Sequence, residues 1–228
     1  DPLAILENPT IRDLGQLGQV LSPPRNGSGV AGRPVVNLSL AVNYALGGTN
    51  PAGYHVANLL FHAAAGLALF GCVRRTLARA PFDERVRAAS LPLAFFTAAL
   101  WLVHPLQTES VTCVIQRTEV LVGLFYFLTL YGFIRAAGTP SPLWAGVTVA
   151  GAFLGMASKE VMVTAPVLVF LYDRTFLAGS FAEARRHLTP RGSYINTMPR
   201  AAVIASAFLA PLLTRQRCVP FMLKTDAV

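Results

Sequence analysis

Long apolar runs separated by short polar loops constrain the fold of this chain more than any other feature. Five runs approach the length of about 20 residues that an α-helix needs to cross a bilayer. They cover approximately 54–73, 90–103, 118–134, 142–157 and 161–176, and a weaker sixth run covers 201–213. Only 13% of the residues are charged, whereas a soluble domain has about 25%. The sequence therefore predicts an all-α, polytopic helical membrane protein.

The sequence divides into three regions. Residues 1–53 contain Pro- and Gly-rich breaks, and the segment Arg33–Leu46 is too short and too polar to span. We expect this region to be an extracytoplasmic loop with short surface helices. Residues 54–176 hold the transmembrane helices, and residues 177–228 form a basic cytoplasmic loop, a weak last membrane helix and a tail. The chain begins without Met or a signal peptide, so we expect a fragment whose N-terminus lies upstream.

Basic residues predict the orientation, because loops rich in Lys and Arg stay in the cytoplasm. Alternating segments place the arginine-rich loop Arg74–Arg87 on the same side as Arg135 and the stretch Arg174–Arg200. We assign this side to the cytoplasm, so that His104–Arg117 and Ser158–Glu160 face outside. The net charge of +8 then reflects membrane orientation, and nucleic-acid binding is not expected.

The stretch His104–Glu119 is unusually polar for a segment between two apolar runs. If it is helical, Glu109, Cys113, Gln116 and Arg117 share one face. Charged groups at the edge of the hydrocarbon layer are costly and commonly mark a site or a pathway. An ordinary polar loop between two spanning helices is the alternative interpretation.

Ten ionisable residues come to the same predicted outer side as this stretch. They are Asp1, Glu7, Arg33, His55, His104, Glu109, Arg117, Glu119, Lys159 and Glu160. If their side chains line one cavity at the leaflet boundary, the cavity fits a lipid-linked or amphiphilic substrate.

His55, Asn58 and His62 form a stripe on one face of the first predicted spanning helix. Two histidines seven residues apart could ligate a metal, but no third ligand lies at a usual spacing. Interhelical hydrogen bonds are the favoured interpretation.

A series of short blocks runs in order through residues 1–176. The blocks are Arg33-Pro34, Leu38-Ser39, Asn43-Tyr44, Gly53-Tyr54-His55, Asn58-Leu59-Leu60, His62, His104-Pro105, Thr108-Glu109, Gln116-Arg117 with Glu119, Ser158-Lys159-Glu160 and Tyr172-Asp173. Together they resemble the membrane region of the tetratricopeptide-containing protein O-mannosyltransferases. That family belongs to the GT-C glycosyltransferases, which use polyprenyl-phosphate sugars on the extracytoplasmic side. The resemblance implies a partial GT-C glycosyltransferase module.

The resemblance also implies a catalytic residue. In that family an Asp-Asp pair precedes an Asn-Pro in the first outer loop, and Asp1 with Asn8-Pro9 matches the second aspartate. Asp1 is therefore the predicted catalytic base. The first helix, the first aspartate and the C-terminal repeats of the family have no counterpart in this sequence, so the activity of this fragment stays open.

Sugar transfer from a lipid phosphate needs a carboxylate base at the acceptor hydroxyl and cationic donors on the departing phosphate. The predicted substrate-binding residues are Arg33, His104, Glu109, Arg117, Glu119, Lys159 and Glu160. The arginines and the lysine are candidates for the phosphate. The glutamates are candidates for orienting those cations or for binding sugar hydroxyls. For Arg117 and Lys159, topology anchors or packing ion pairs are the alternative.

The leading hypothesis is a membrane glycosyltransferase that moves a sugar, mannose by the resemblance, from a polyprenyl-phosphate carrier to a protein Ser or Thr hydroxyl on the extracytoplasmic face. The alternatives are a non-catalytic membrane subunit with a truncated GT-C fold, or a lipid-binding or transport protein. Expected partners are membrane lipid, the polyprenyl-phosphate sugar, an acceptor protein and a larger membrane complex. No cofactor or metal site is predicted, and dependence on a divalent metal stays open. The expected location is the bacterial inner membrane, or the endoplasmic reticulum membrane in a eukaryote.

Overall fold

The computed structural model describes residues 2–24, 28–79, 82–139 and 141–182, and every regular element in these ranges is helical. The α-helices are α1 (Leu17–Val20), α2 (Pro34–Gly47), α3 (Pro51–Leu77), α4 (Glu84–Ala88), α5 (Ser90–Leu102), α6 (Thr108–Thr112), α7 (Arg117–Gly138), α8 (Pro142–Met156) and α9 (Ala165–Tyr172). Short 3₁₀ or π-type turns cover Pro2–Leu6, Pro9–Ile11, Pro105–Gln107, Val114–Gln116, Glu160–Thr164 and Asp173–Ala178. The all-α prediction is confirmed.

Three helical stretches are long and apolar enough to cross a membrane: Pro51–Leu77, Val114–Gly138 and Glu160–Ala178. Ser90–Leu102 and Pro105–Thr112 make a fourth span if they are taken together, although they bend by 51° where they meet. The bend falls at Pro105, because a proline excludes the preceding residue from the α conformation. The prediction of a polytopic membrane protein is confirmed.

The predicted span at 142–157 is shorter than a full crossing. Helix α8 has 15 residues, which extend over about 22 Å, less than the roughly 30 Å of a hydrocarbon core. Its backbone leaves the α conformation before Lys159, which is extended. The predicted run at 201–213 and most of the predicted C-terminal region lie outside the described residues.

The spanning helices alternate in direction, so the bundle has two ends. At one end Arg117, the first residue of α7, bonds to Asn58 near the start of α3. At the other end Arg79, which follows α3, donates to the backbone oxygen of Ile134 near the end of α7 (3.2 Å). We call these the Arg117 end and the Arg79 end. The predicted separation of the arginine-rich loop from the polar stretch is confirmed, and the side of the membrane that each end faces stays a prediction.

Helix α7 lies at the centre of the bundle, between α3 and α8. Glycines let α7 and α8 approach closely, as small residues do in membrane helix packing. A Cβ added at Gly132 would lie 2.8 Å from Thr148 Oγ1, and one at Gly151 would lie 2.8 Å from Thr129 Oγ1. The apolar core around this contact also includes Phe133 on α7.

A second apolar core joins the N-terminal segment to α2, and it includes Ile11, Val20 and Leu40. Within it, Asn8 Nδ2 donates to Asn37 Oδ1 (2.9 Å), and Asn37 Nδ2 donates to the backbone oxygen of Val20 (2.7 Å). Both asparagines are fully buried. These hydrogen bonds and the apolar core hold the N-terminal segment against α2.

Candidate functional site

Four charged side chains from three parts of the chain meet at the Arg117 end. Lys159 Nζ forms an ion pair with Glu119 in the first turn of α7. Arg33 Nη2, just before α2, lies 3.7 Å from Glu160 Oε2. Because Lys159 and Glu160 are neighbours in the chain, the two ion pairs form one group. We call these four residues the charged cluster.

Backbone contacts hold the Arg33 side of the charged cluster in place. The amide of Val35 donates to the backbone oxygen of Ala157 (3.3 Å), which joins the start of α2 to the end of α8. Arg33 Nη1 donates to the backbone oxygen of Gly29 (2.7 Å). A Cβ at Gly29 would lie 2.6 Å from Ile115 Cγ1, so a larger residue here would have to displace the Ile115 side chain, which precedes α7.

The cluster is open to the surface. The side chains of Arg33 and Glu160 are 23% and 50% exposed, and those of Lys159 and Glu119 are 26% and 38% exposed. Ion pairs that are partly exposed contribute about 0–1 kcal/mol. A phosphate oxygen can therefore replace one of the carboxylates at small cost in free energy.

Arg117, the third predicted phosphate-binding cation, is fully buried. Its Nε donates to Asn58 Oδ1 (2.7 Å) and its Nη2 donates to the backbone oxygen of Tyr54 (2.9 Å). Its Nη1 donates to Asn43 Oδ1 (2.6 Å) and to the backbone oxygen of Ser39 (3.2 Å). A phosphate reaches this guanidinium only if the network opens. Arg33 and Lys159 are therefore the two predicted cations with accessible groups, and Arg117 connects α2, α3 and α7.

His104 and Glu109 lie in the connection between α5 and α7. Nδ1 of His104 accepts from the amide of Leu106 (3.2 Å), which caps a 3₁₀ turn. The Glu109 carboxylate accepts from Gln116 Nε2 (3.5 Å). Both residues are exposed, and within the described ranges no hydrogen bond or ion pair links either of them to the charged cluster.

The stretch His104–Glu119 is not one continuous helix, so the condition for a shared face of Glu109, Cys113, Gln116 and Arg117 is not met. Cys113 has an extended backbone (φ −86°, ψ 116°) and separates α6 from the next 3₁₀ turn. Asn58 explains the break, because its Nδ2 donates to the backbone oxygens of Val111 (3.3 Å) and Cys113 (3.4 Å). Tertiary contacts thus replace the helical bonds of this stretch.

The predicted interhelical role of the polar stripe on α3 is confirmed for Asn58 and His62. Nε2 of His62 lies 3.0 Å from the backbone oxygen of Leu102 on α5. His55 is exposed. Among the residues that the structure describes, no group of three or more His, Cys, Asp and Glu side chains could hold a metal ion.

Asp1, the predicted catalytic base, lies outside the described residues. The structure does describe the segment that follows it, which is held on α2 by the contact between Asn8 and Asn37. Sequence reasoning assigned no role to Asn37 or Asn43. The available signal was an amide side chain inside a largely apolar helix, since polar groups in such a position commonly bond across helices.

Comparison with known proteins gives relatives of one kind. Over 155 residues the chain is 33% identical to protein O-mannosyl-transferase Tmtc2 of Drosophila melanogaster. The aligned region covers 65% of this chain and 15% of the relative. It is 29% identical over 151 residues to human protein O-mannosyl-transferase TMTC4, with 62% and 20% covered. It is 25% identical over 180 residues to mouse protein O-mannosyl-transferase TMTC3, with 78% and 16% covered.

These relatives confirm the resemblance to the membrane region of the protein O-mannosyltransferases that the sequence blocks indicated. The chain spans 20% or less of the length of the three relatives. No protein-family model and no solved structure matches the chain.

Proposed function

We propose that this chain forms part of the membrane module of a GT-C glycosyltransferase. The enzyme moves mannose from a polyprenyl-phosphate carrier to a Ser or Thr hydroxyl of an acceptor protein on the extracytoplasmic face. The charged cluster carries the proposal, because Arg33, Glu119 and the Lys159-Glu160 pair come from separate sequence blocks and meet at one end of the bundle. The similarity to protein O-mannosyl-transferases supports the reaction class.

The cations of the cluster act on the phosphate. When the acceptor oxygen forms its bond to the anomeric carbon, the bond from that carbon to the phosphate oxygen breaks and negative charge grows on the phosphate. Lys159 and Arg33 stabilise this charge most strongly in the transition state, where it is largest. Each of them exchanges its carboxylate partner for a phosphate oxygen.

The carboxylates have the complementary role. Glu119 and Glu160, once released from their cations, accept hydrogen bonds from hydroxyl groups of the sugar. The acceptor hydroxyl loses its proton to a carboxylate base, for which Asp1 is the proposed residue. The buried contact between Asn8 and Asn37 fastens part of the segment that follows Asp1 in the sequence.

One observation favours an alternative function. Both accessible cations are already paired with carboxylates, so the cluster is neutral without a ligand. A neutral cluster suits a structural junction between α2, α7 and the segment after α8. This would be the arrangement in a non-catalytic subunit of a larger membrane complex.

Binding of a polyprenyl-phosphate mannose to the detergent-solubilised chain tests the proposal. Lys159→Met should weaken binding at least about tenfold, since a hydrogen bond to a charged group contributes roughly 1.5–3 kcal/mol. Glu119→Gln frees Lys159 from its partner and keeps an oxygen that can accept from a sugar hydroxyl, so it should weaken binding far less than Lys159→Met. Arg87→Met, an exposed variant in α4 at the opposite end, should leave affinity unchanged.

The outcomes separate the functions. Transfer of mannose to a Ser- or Thr-containing acceptor supports the enzyme, whereas binding without transfer supports a lipid-binding protein. Absence of binding by the unmodified, folded chain contradicts the proposal. If Lys159→Met and Glu119→Gln destabilise the fold equally and change no affinity, the cluster is a structural junction.

A further inference from the structure

A second basic site lies at the Arg79 end of the bundle. A cavity of about 470 Å³ opens between the ends of α3 and α7. Arg75 and Arg79 line it from the side of α3, and Arg135 and Thr139 line it from the side of α7. We propose that this cavity binds a phosphate group, supplied by the headgroup of an anionic lipid or by free phosphate. Its position, at the opposite end of the bundle from the charged cluster, makes it independent of the proposed transferase site.

Aromatic rings position two of the three guanidinium groups. Arg75 lies over the ring of Tyr131 (4.9 Å to the centroid), and Arg135 lies over the ring of Trp144 (4.2 Å). Stacking uses the face of a guanidinium and leaves the N–H groups at its edge for hydrogen bonds. Arg135 Nη1 uses one of them in a long hydrogen bond to the Tyr131 hydroxyl (3.5 Å), and its other N–H groups are available to a ligand. Such pre-positioned forks match the oxygens of a phosphate.

The third guanidinium is incompletely bonded. Arg79 Nη2 donates to the backbone oxygen of Ile134 (3.2 Å). Its Nε is buried without a hydrogen-bond partner among the described residues. The guanidinium also interacts with the Tyr172 hydroxyl. Buried donors are normally bonded to protein, water or a ligand, so the Nε–H of Arg79 is the donor that the described part of the protein leaves unused.

The electrostatic balance of the cavity favours an anion. In the described part of the chain no carboxylate forms an ion pair with Arg75, Arg79 or Arg135. The ends of α3 and α7 attract cations, but each helix end is equivalent to only about half a negative charge. Two helix ends therefore offset about one of the three positive charges. About two positive charges remain, which is more than capping of the two helix ends would require.

The position of the cavity favours a lipid headgroup as the source of the phosphate. It lies at the ends of two apolar helices that are long enough to cross a bilayer, so a lipid headgroup would reach it if both helices span the membrane. Basic pockets between membrane helices bind anionic headgroups by the same contacts that bind free phosphate.

The test compares two double variants of the full chain. Arg75→Gln with Arg135→Gln removes two cations of the cavity. The control, Arg85→Gln with Arg87→Gln, removes the same charge from the exposed α4 segment at the same end. Native mass spectrometry measures retention of phosphatidic acid and phosphatidylcholine with identical acyl chains. A second arm measures stabilisation by inorganic phosphate in thermal unfolding.

We expect the unmodified chain and the control to retain phosphatidic acid over phosphatidylcholine, and the cavity variant to retain at least about tenfold less. Stabilisation by inorganic phosphate without lipid retention, lost in the cavity variant alone, identifies free phosphate as the ligand. If the glutamine variant does not fold, Arg75→Lys with Arg135→Lys keeps the charge, loses the planar fork and should lower retention severalfold. The proposal is overturned if the unmodified chain retains both lipids equally and inorganic phosphate does not stabilise it. It is also overturned if the cavity variant and the control variant lose lipid retention equally.

Discussion

Burying an arginine side chain is unfavourable unless its charge and its donors are compensated. Arg117 satisfies this condition with four hydrogen bonds to acceptors on α2 and α3. The ring of Tyr54 adds a cation–π contact at 5.6 Å. Because Glu119 lies two residues further along α7, the position of the charged cluster depends on this buried network.

We predict that Arg117→Ala destabilises the protein by on the order of 3 kcal/mol, because each buried acceptor left unpaired costs about 1–3 kcal/mol. Arg117→Lys should lie between Ala and the unmodified protein, since a lysine cannot reproduce the fork. Thermal unfolding in detergent measures the loss, with exposed Arg87→Ala as the control. An Arg117→Ala protein as stable as the control would show that the network does not support the fold.

At the level of elements, the contact between α7 and α8 depends on the small size of its residues. The hydroxyls of Thr129 and Thr148 bond to backbone oxygens of their own helices (2.7 and 2.8 Å). The two helices are therefore joined by close packing at Gly132 and Gly151 and not by hydrogen bonds between these threonines. This packing brings the end of α8, and with it Lys159, to the side of α7 that carries Glu119.

Gly132→Ala should push α7 and α8 apart, because the added methyl group meets backbone as well as side-chain atoms of α8. We expect a loss of about 1–3 kcal/mol, the usual range for overpacking. Gly123→Ala is the matched control on the same helix, with no atom within 4 Å of its added Cβ. Because alanine has a higher helix propensity than glycine, Gly123→Ala should leave the free energy of unfolding unchanged or raise it by up to about 1 kcal/mol. Equal unfolding midpoints for the two variants would contradict close packing at Gly132.

For the whole molecule, the separation of charge between the two ends is the main organising feature. Helix α3 has 27 residues, which places its ends about 40 Å apart. The charged cluster contains cations and carboxylates, whereas the cavity at the Arg79 end is lined by three arginines. The two proposed sites would therefore contact opposite leaflets of the membrane.

The predicted orientation is testable with two cysteines. Cys113 is exposed at the Arg117 end, and Ala78 is exposed at the Arg79 end. A membrane-impermeant thiol reagent applied to the extracytoplasmic side should label Cys113 in a protein that carries Cys218→Ser. The same reagent should leave Ala78→Cys unlabelled in a protein that also carries Cys113→Ser and Cys218→Ser. Permeabilised membranes provide the control, in which Ala78→Cys should react. Labelling of both positions from the same side would overturn the predicted topology.

Local composition was sufficient to predict the helices. The runs at 54–73 and 118–134 match α3 and α7, because hydropathy and helix formation depend on residues close together in the chain. The run at 90–103 likewise matches α5, which ends at Leu102, shortly before Pro105. Of the seven predicted substrate-binding residues, four form the two neighbouring ion pairs, and Arg117, His104 and Glu109 lie elsewhere. The substrate-binding role of all seven stays a prediction.

Tertiary structure decided which side chains pair and which are buried. Lys159 pairs with Glu119, 40 positions away, and Arg117 bonds to Asn58 and Ser39, 59 and 78 positions away. No local pattern distinguishes the buried Arg117 from the accessible Arg33, since both are single arginines beside apolar segments. Their difference arises because the start of α7 is enclosed by α2 and α3, whereas Arg33 lies at the open end of α2. Burial depends on how helices pack, and this packing joins residues that are distant in the sequence.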